Sequence, residues 1–316
     1  MKQFFQISKE AASEFFEDDA MSLAAALALY TVIALAPLVT VMLMIAGMIF
    51  GEGAADGFVR QAESLIGAAG GEAIRGIVEN ASKPATGALQ AIIGFVILLV
   101  SASAVFAQLQ AALNRVWNVI QKPGLGIMHM VKTRLFSMAM VAGLGFLLMA
   151  SLGVSTALAA LGNFFQTLAP EMEFLLHVVN FVVAVAVTTL LFAGVFKYIP
   201  DVKIGWNDVW IGALVTALLF NLGQIGLGIY LGNSDTAAAY GAAGSFMVLI
   251  LWLYYSTVIL MYGAEWAQVR ARILGHRFEP AEHANRLVVE ARAADDPEAE
   301  AKIADKSAKE RMSGKA

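Results

Sequence analysis

The sequence contains no cysteine, which excludes disulfides, thiolate metal sites and cysteine nucleophiles. Histidine is almost as scarce. His129, His177, His276 and His283 are the only four, and none stands in an H-x-H or H-E-x-x-H arrangement. A hydrolytic metal centre needs clustered ligands, so no metal site or cofactor is expected. His276, Glu279, Glu282 and His283 are close in sequence but read as a solvated tail. Charge is scarce too: 15% of the residues are Asp, Glu, Lys or Arg, against about 25% in soluble domains. The net charge of −4 and the lack of a basic stripe argue against a nucleic-acid surface. No phosphate-binding loop is present, because the glycines near Gly223 lie in an apolar run without the Lys-Ser/Thr ending.

What is present is long uncharged sequence. Six runs carry no Asp, Glu, Lys or Arg: 20–51, 84–114, 135–170, 174–196, 209–234 and 236–264. Each exceeds the roughly 18–20 residues needed to cross about 30 Å of hydrocarbon. Backbone groups in lipid must be satisfied internally, and the runs lack the alternation of barrel strands, so they read as helices. Soluble helices are amphipathic rather than apolar all round. The expected fold is therefore all-α: a polytopic membrane helix bundle with spans at about 22–50, 86–111, 135–161, 174–197, 209–231 and 240–266.

The distribution of basic residues orients the bundle. With the N-terminus inside, eighteen Lys and Arg fall on cytoplasmic segments and three, Arg60, Arg75 and Lys83, fall outside. Without the tail the balance is still eight to three. Trp117, Trp206, Trp210 and Trp266 cluster near inner span ends, where amphipathic rings favour the headgroup layer. Both termini are thus expected in the cytoplasm. The acidic residues among 10–19 do not fit a signal-peptide n-region.

Residues 1–19 read as an interfacial helix, with Phe4, Ala11 and Phe15 on one face and acids on the other. Its negative charge favours packing on the spans over binding anionic lipid. The membrane domain is expected over 20–270. In the first external loop Phe58, Ala62, Leu65 and Ile66 suggest one short amphipathic helix and Ile74, Ile77 and Val78 another, separated by Ala68-Ala69-Gly70-Gly71. Residues 271–316 read as a charged, largely disordered tail.

Polar residues inside spans are where function concentrates. Ser101, Ala104, Gln108, Ala111 and Arg115 share one helix face, and Ala217, Asn221, Gln224 and Gly228 share another. These stripes either pack helices closely or line a shared polar pathway. Tyr30 and Pro37 mark the first span, where the proline frees a carbonyl and favours a kink. Arg115 and Glu265 end the second and sixth uncharged runs and are expected either to pair or to snorkel separately. Lys197, Pro200, Asp201 and Lys203 form the inner turn between spans four and five, where Asp201 and Asp208 could cap or pair.

Several of these segments together resemble the YihY/BrkB family of bacterial inner-membrane proteins. They are Ala24-Ala25-Ala26 through Pro37, Asn114-Arg115-Val116-Trp117-Asn118, and Phe196-Lys197-Tyr198-Ile199-Pro200-Asp201-Val202-Lys203 with Trp206. Tyr240-Gly241-Ala242-Ala243-Gly244, Leu251-Trp252-Leu253-Tyr254 and Gly263-Ala264-Glu265 complete the pattern. The resemblance implies a multi-pass protein of the bacterial inner membrane, linked to the cell envelope. It also implies a role in transport, export or lipid movement, and in some members serum resistance and virulence. Members have also been labelled ribonuclease BN, but the residues show no catalytic constellation and no enzyme is expected. The expected partners are membrane lipids, envelope proteins or a second copy, with no nucleic acid. A membrane scaffold without transport activity is the rival reading.

Overall fold

The computed structural model describes residues 2–50, 54–81, 88–123, 173–233, 243–276 and 278–287. In chain order these form α1 (Lys2–Glu17), α2 (Ala20–Phe50), α3 (Ala54–Ala81), α4 (Ala88–Val116), β1 (Val119–Gln121), α5 (Glu173–Tyr198), β2 (Val202–Lys203), α6 (Trp206–Asn233), α7 (Gly244–Ile273), β3 (Glu279–Pro280) and β4 (Ala284–Arg286). Two two-stranded sheets pair β1 with β4 and β2 with β3. The second is antiparallel, with Val202 opposite Pro280 and Lys203 opposite Glu279. The chain divides into two compact units, Met1–Asn285 and Arg286–Ala316; the side-chain contacts below belong to the first.

Among the described residues four helices are long and apolar enough to cross a membrane, over Ala20–Thr40, Phe181–Tyr198, Trp206–Leu227 and Gly244–Ile273. Helix α4 has 29 residues and carries its first charge at Arg115. The span expected at 135–161 lies outside the described residues. Helix α2 runs unbroken through Pro37. The hydroxyls of Thr31, before the proline, and Thr40, after it, donate to the backbone at Leu27 and Ala36, each at 2.8 Å.

Helix α7 is the centre of the bundle, packed against α1, α2, α3, α4 and α6. Its contact with α6 is made by small residues. A Cβ on Gly212 would lie 2.5 Å from Ala267 Cβ, and one on Gly263 would lie 1.7 Å from Thr216 Oγ1. Gly212 and Thr216 thus face Gly263 and Ala267, two small-xxx-small pairs that let the backbones approach. Farther along, Tyr255 donates its hydroxyl across the interface to Leu219 O at 2.9 Å, and a Cβ on Gly223 would overlap that hydroxyl.

The two ends of the bundle are capped differently. One end carries α3, whose Val59, Ile74 and Val78 join a core with Val39, Leu249 and Leu253 of α2 and α7. Two short helices were expected here, and a single helix is assigned. Yet in a straight helix Glu63 and Gly71 would stand about 12 Å apart, whereas a Cβ on Gly71 would lie 3.1 Å from Glu63 Cα. Arg75 also donates to Glu63 Oε1 at 2.8 Å. The stretch between Glu63 and Gly71 is therefore not a straight helix, and Glu63 lies against both Gly71 and Arg75.

At the other end, α1 lies across α7. Ile7 and Ala11 are buried with Trp266 and Val269, and Trp266 Nε1 donates to Ser8 Oγ at 3.2 Å. Residue 271, where the tail is expected to begin, still lies in helix. Helix α7 continues to Ile273 and closes in a Schellman turn: Gly275 N–H donates to Arg272 O at 3.0 Å and His276 N–H to Ala271 O at 2.9 Å. Gly275 takes φ +71° there, a conformation that glycine adopts without penalty. The chain then returns along the bundle end, where Phe278 stacks edge-on against Trp117 at 5.2 Å.

Candidate functional site

Two carboxylates organise the end of the bundle that carries α1. Asp201 follows Pro200 at the end of α5 and is 5% exposed. Its Oδ1 accepts from Gln110 at 2.9 Å and meets His283 Nε2 at 2.7 Å. Its Oδ2 accepts from Asn114 at 2.8 Å and Gln121 at 2.9 Å. Its backbone N–H donates to Asn114 Oδ1 at 2.8 Å, and its carbonyl accepts from Ala281 N–H at 2.9 Å. One turn thereby holds α4, β1 and the returning segment. Asn118, at φ +50°, lets the chain leave α4 toward Gln121; asparagine tolerates that left-handed position better than most residues.

Asp208 occupies the first turn of α6, where a negative side chain suits the helix dipole. It accepts from Arg270 Nη1 at 2.7 Å and contacts His276 Nδ1 at 2.8 Å. Lys197 donates to Ile204 O and lies 5.6 Å from the Trp206 ring. These groups are all partnered and hold loops in place. Sequence reading placed Asp201, Asp208, Lys197, Pro200 and Lys203 in this turn. It missed Gln110, Asn114 and Gln121, and it took His276 and His283 for tail residues. Each histidine instead anchors to its own aspartate, so they do not converge, and no metal-ligating cluster occurs among the described residues.

Glu265 is different. It lies on α7, is 0% exposed, and neither carboxyl oxygen has a hydrogen-bond partner. One turn on, Gln268 is also buried with its Oε1 unpartnered. The charges bearing on Glu265 are Asp18, Glu14, Arg272 and Arg115. The two acids belong to a stripe on α1 and the turn after it, where Glu10, Glu14 and Asp18 recur at helical spacing. Arg272 bridges Glu10 and Glu14, and Arg115 Nε pairs with Asp18 Oδ1 at 3.2 Å. Asp18's carboxyl is held above its ordinary range by burial, with Glu14 and Glu17 adding to the shift and Arg115 opposing it.

Residues 11–287 match the profile of the virulence factor BrkB family. The chain belongs to that family. Among curated relatives, this BrkB-family protein is 30% identical over 258 residues to a UPF0761 membrane protein of Verminephrobacter eiseniae, covering 79% of this chain and 59% of the relative. It is 29% identical over 267 residues to one of Alkalilimnicola ehrlichii, covering 82% and 57%. The chain thus spans less than two thirds of the relatives it matches. No solved structure matches it.

In this BrkB-family membrane protein the expected pairing of Arg115 with Glu265 is not made. Arg115 sits at the end of α4, and the turn between α1 and α2 brings Asp18 to it first, leaving Glu265 buried beneath. The expected pathway residues are spread over three helices: Tyr30 and Pro37 on α2, Ser101 and Gln108 on α4, Asn221 and Gln224 on α6. Helices α4 and α6 do not pack extensively on each other among the described residues. The Asn221 amide donates within its own helix, to Ala217 O at 2.8 Å.

The raised pKa of Asp18 has a definite sign. The folded protein holds this proton at a pH where the unfolded chain has lost it, so its contribution is complete below the unfolded value of 3.8 and is lost as pH rises through the folded one. Thermal unfolding in detergent across mildly acidic pH should show wild type losing stability relative to Asp18→Asn as pH rises. A constant difference would mean that the buried setting of Asp18 is wrong.

Proposed function

We propose that this protein is a six-span transporter or exporter of the bacterial inner membrane, with both termini in the cytoplasm, acting in envelope maintenance or envelope lipid movement, and not an enzyme. The observation that carries this reading is Glu265. An ionisable residue within a spanning helix marks a pathway or coupling site by default. A helix-packing role does not account for a buried carboxyl with both oxygens unpartnered, since burying such a group uncompensated costs several kcal/mol. Topology supports six crossings: α4 finishes at the end carrying α1 and α5 starts at the other, consistent with counting 135–161 as a span. At the α3 end an open recess of about 440 Å³ lined by Glu72, Arg75, Glu79, Ser245 and Phe246 offers both charge signs and an apolar wall to an amphipathic substrate.

The test is flux in proteoliposomes, with fluorescent lipids and small envelope precursors as substrates. Glu265→Gln is expected to cut the rate by an order of magnitude and Gln108→Ala by less. Asn221→Ala, whose amide serves its own helix, should leave it near wild type. A rival reading, a membrane scaffold, draws on the close α6–α7 packing and the self-bonded Asn221. Equal rates for empty vesicles, wild type and Glu265→Gln would favour it.

A further inference from the structure

We infer that Glu265 is a proton-binding site, loaded from the end of the bundle that carries α1 by way of Asp18 and Glu14. The inference deepens the transport reading by naming the coupling ion, and its coupling role rests on that reading.

Three acceptor oxygens stand unpartnered within one turn of α7: both of Glu265 and the Oε1 of Gln268. Residues three apart on a helix share a face, so these oxygens belong to one buried polar spot. Acceptors without donors call for a positive species. A proton satisfies the spot with one bond to one oxygen. A metal cation would need more ligands than three oxygens, since hard cations take about six, and among the described residues no cluster supplies them. Arg115 and Arg272 also bear on the site, and two guanidinium charges oppose a bound metal ion while leaving a neutral carboxylic acid undisturbed.

Helix α1 presents Glu14, with Glu10 farther out on Arg272. The turn between α1 and α2 presents Asp18, and α4 presents Arg115. Helix α7 contributes Arg272. At this end α6 presents Asp208, which is held by Arg270 and His276. Helix α2 has no charged residue within Ala20–Phe50, and α3 lies at the opposite end. The side chains of Glu14 and Asp18 are 19% and 16% exposed. A graded series therefore runs from water-touching carboxylates to a fully buried one. In the transfer, the O–H bond of an Asp18 carboxylic acid breaks and one forms on the Glu265 carboxylate; solvent water then reprotonates Asp18. The neutralised residue sits where α1, the turn carrying Asp18 and the end of α4 meet α7, so the change in charge acts on Asp18, Glu14, Arg115 and Arg272.

The experiment is infrared spectroscopy of the full-length protein in lipid vesicles, grown with isotopically labelled glutamate. Wild type is expected to show a label-shifted carboxylic acid C=O band that disappears as pH rises, and Glu265→Gln to lack it. In Glu265→Asp, which keeps a carboxyl if the glutamine variant misfolds, the shifted band should vanish and an unshifted pH-sensitive band should replace it. After a pH jump the wild-type band should decay several-fold faster than that of Asp18→Asn. The site is overturned if the same band persists in Glu265→Gln, if the band ignores pH, or if sodium at fixed pH removes it. A titrating band in a protein that moves nothing upholds the site and defeats the transport reading. Flux that survives without such a band does the opposite.

Discussion

Replacing Asp201 by alanine is expected to lower stability by about 3–5 kcal/mol, the range for breaking a buried charged network from one side. The carboxylate accepts from Gln110, Asn114 and Gln121 and meets His283. Its loss would leave those donors facing one another in a site that is 5% exposed. Each buried donor left without a partner costs about 1–3 kcal/mol. Asp201→Asn, which keeps one acceptor oxygen, should fall between alanine and wild type. His283→Ala, which removes a half-exposed partner, should cost about 1 kcal/mol. Thermal unfolding in detergent measures all three, and an alanine variant melting within a degree or two of wild type would mean the network is not formed.

The second large effect is steric. Gly263→Val is expected to lower stability by about 3 kcal/mol, the upper end of the usual overpacking range. Its Cβ would fall 1.7 Å from Thr216 Oγ1 and 2.8 Å from Thr216 Cβ. Thr216 is not free to turn aside, because its hydroxyl donates to Gly212 O at 2.7 Å. Gly263→Ala should cost less, and Thr216→Ala in the same chain should restore part of the loss. Additive effects in that double variant would show that the two residues do not meet. Gly212→Ala tests the same seam from the other side, where the new methyl meets Ala267 at Cβ and Cα.

Lipid imposes a one-dimensional rule. A charge in the hydrocarbon is costly, so the gaps between charges locate the four helices among the described residues that are long and apolar enough to cross, α2, α5, α6 and α7. The amphipathic character of α3 was legible in the apolar clusters on either side of Gly70-Gly71, but its continuity as one helix over Ala54–Ala81 was not. Nor was the arrangement of charges at the end carrying α1, because pairing there depends on which loops meet. Arg115 and Glu265 both end uncharged runs and looked like natural partners. Asp18 reached Arg115 instead, because α1 folds across α7 and the turn at Asp19, with φ +52°, delivers its neighbour to α4. The roles of His276 and His283 were hidden for a related reason. No local periodicity marks 276–286, and their partners lie 68 and 82 residues away. Gln110 and Gln121 carried no signal beyond being amides near a helix end, and Asn114 stood out only as part of the segment Asn114–Asn118 that carries the family resemblance.

The lock around Asp201 and Asp208 also sets an order of assembly. Both histidine anchors follow the last described helix, so during synthesis they leave the ribosome after the helices they tie down. Until then the turn at Asp201 and the start of α6 are held from one side only. The membrane part is thus left adjustable while its helices are inserted, and becomes fixed when the segment carrying His276 and His283 docks. A chain truncated just after Gly275 should therefore expose this face to protease, and one that includes the next dozen residues should protect it.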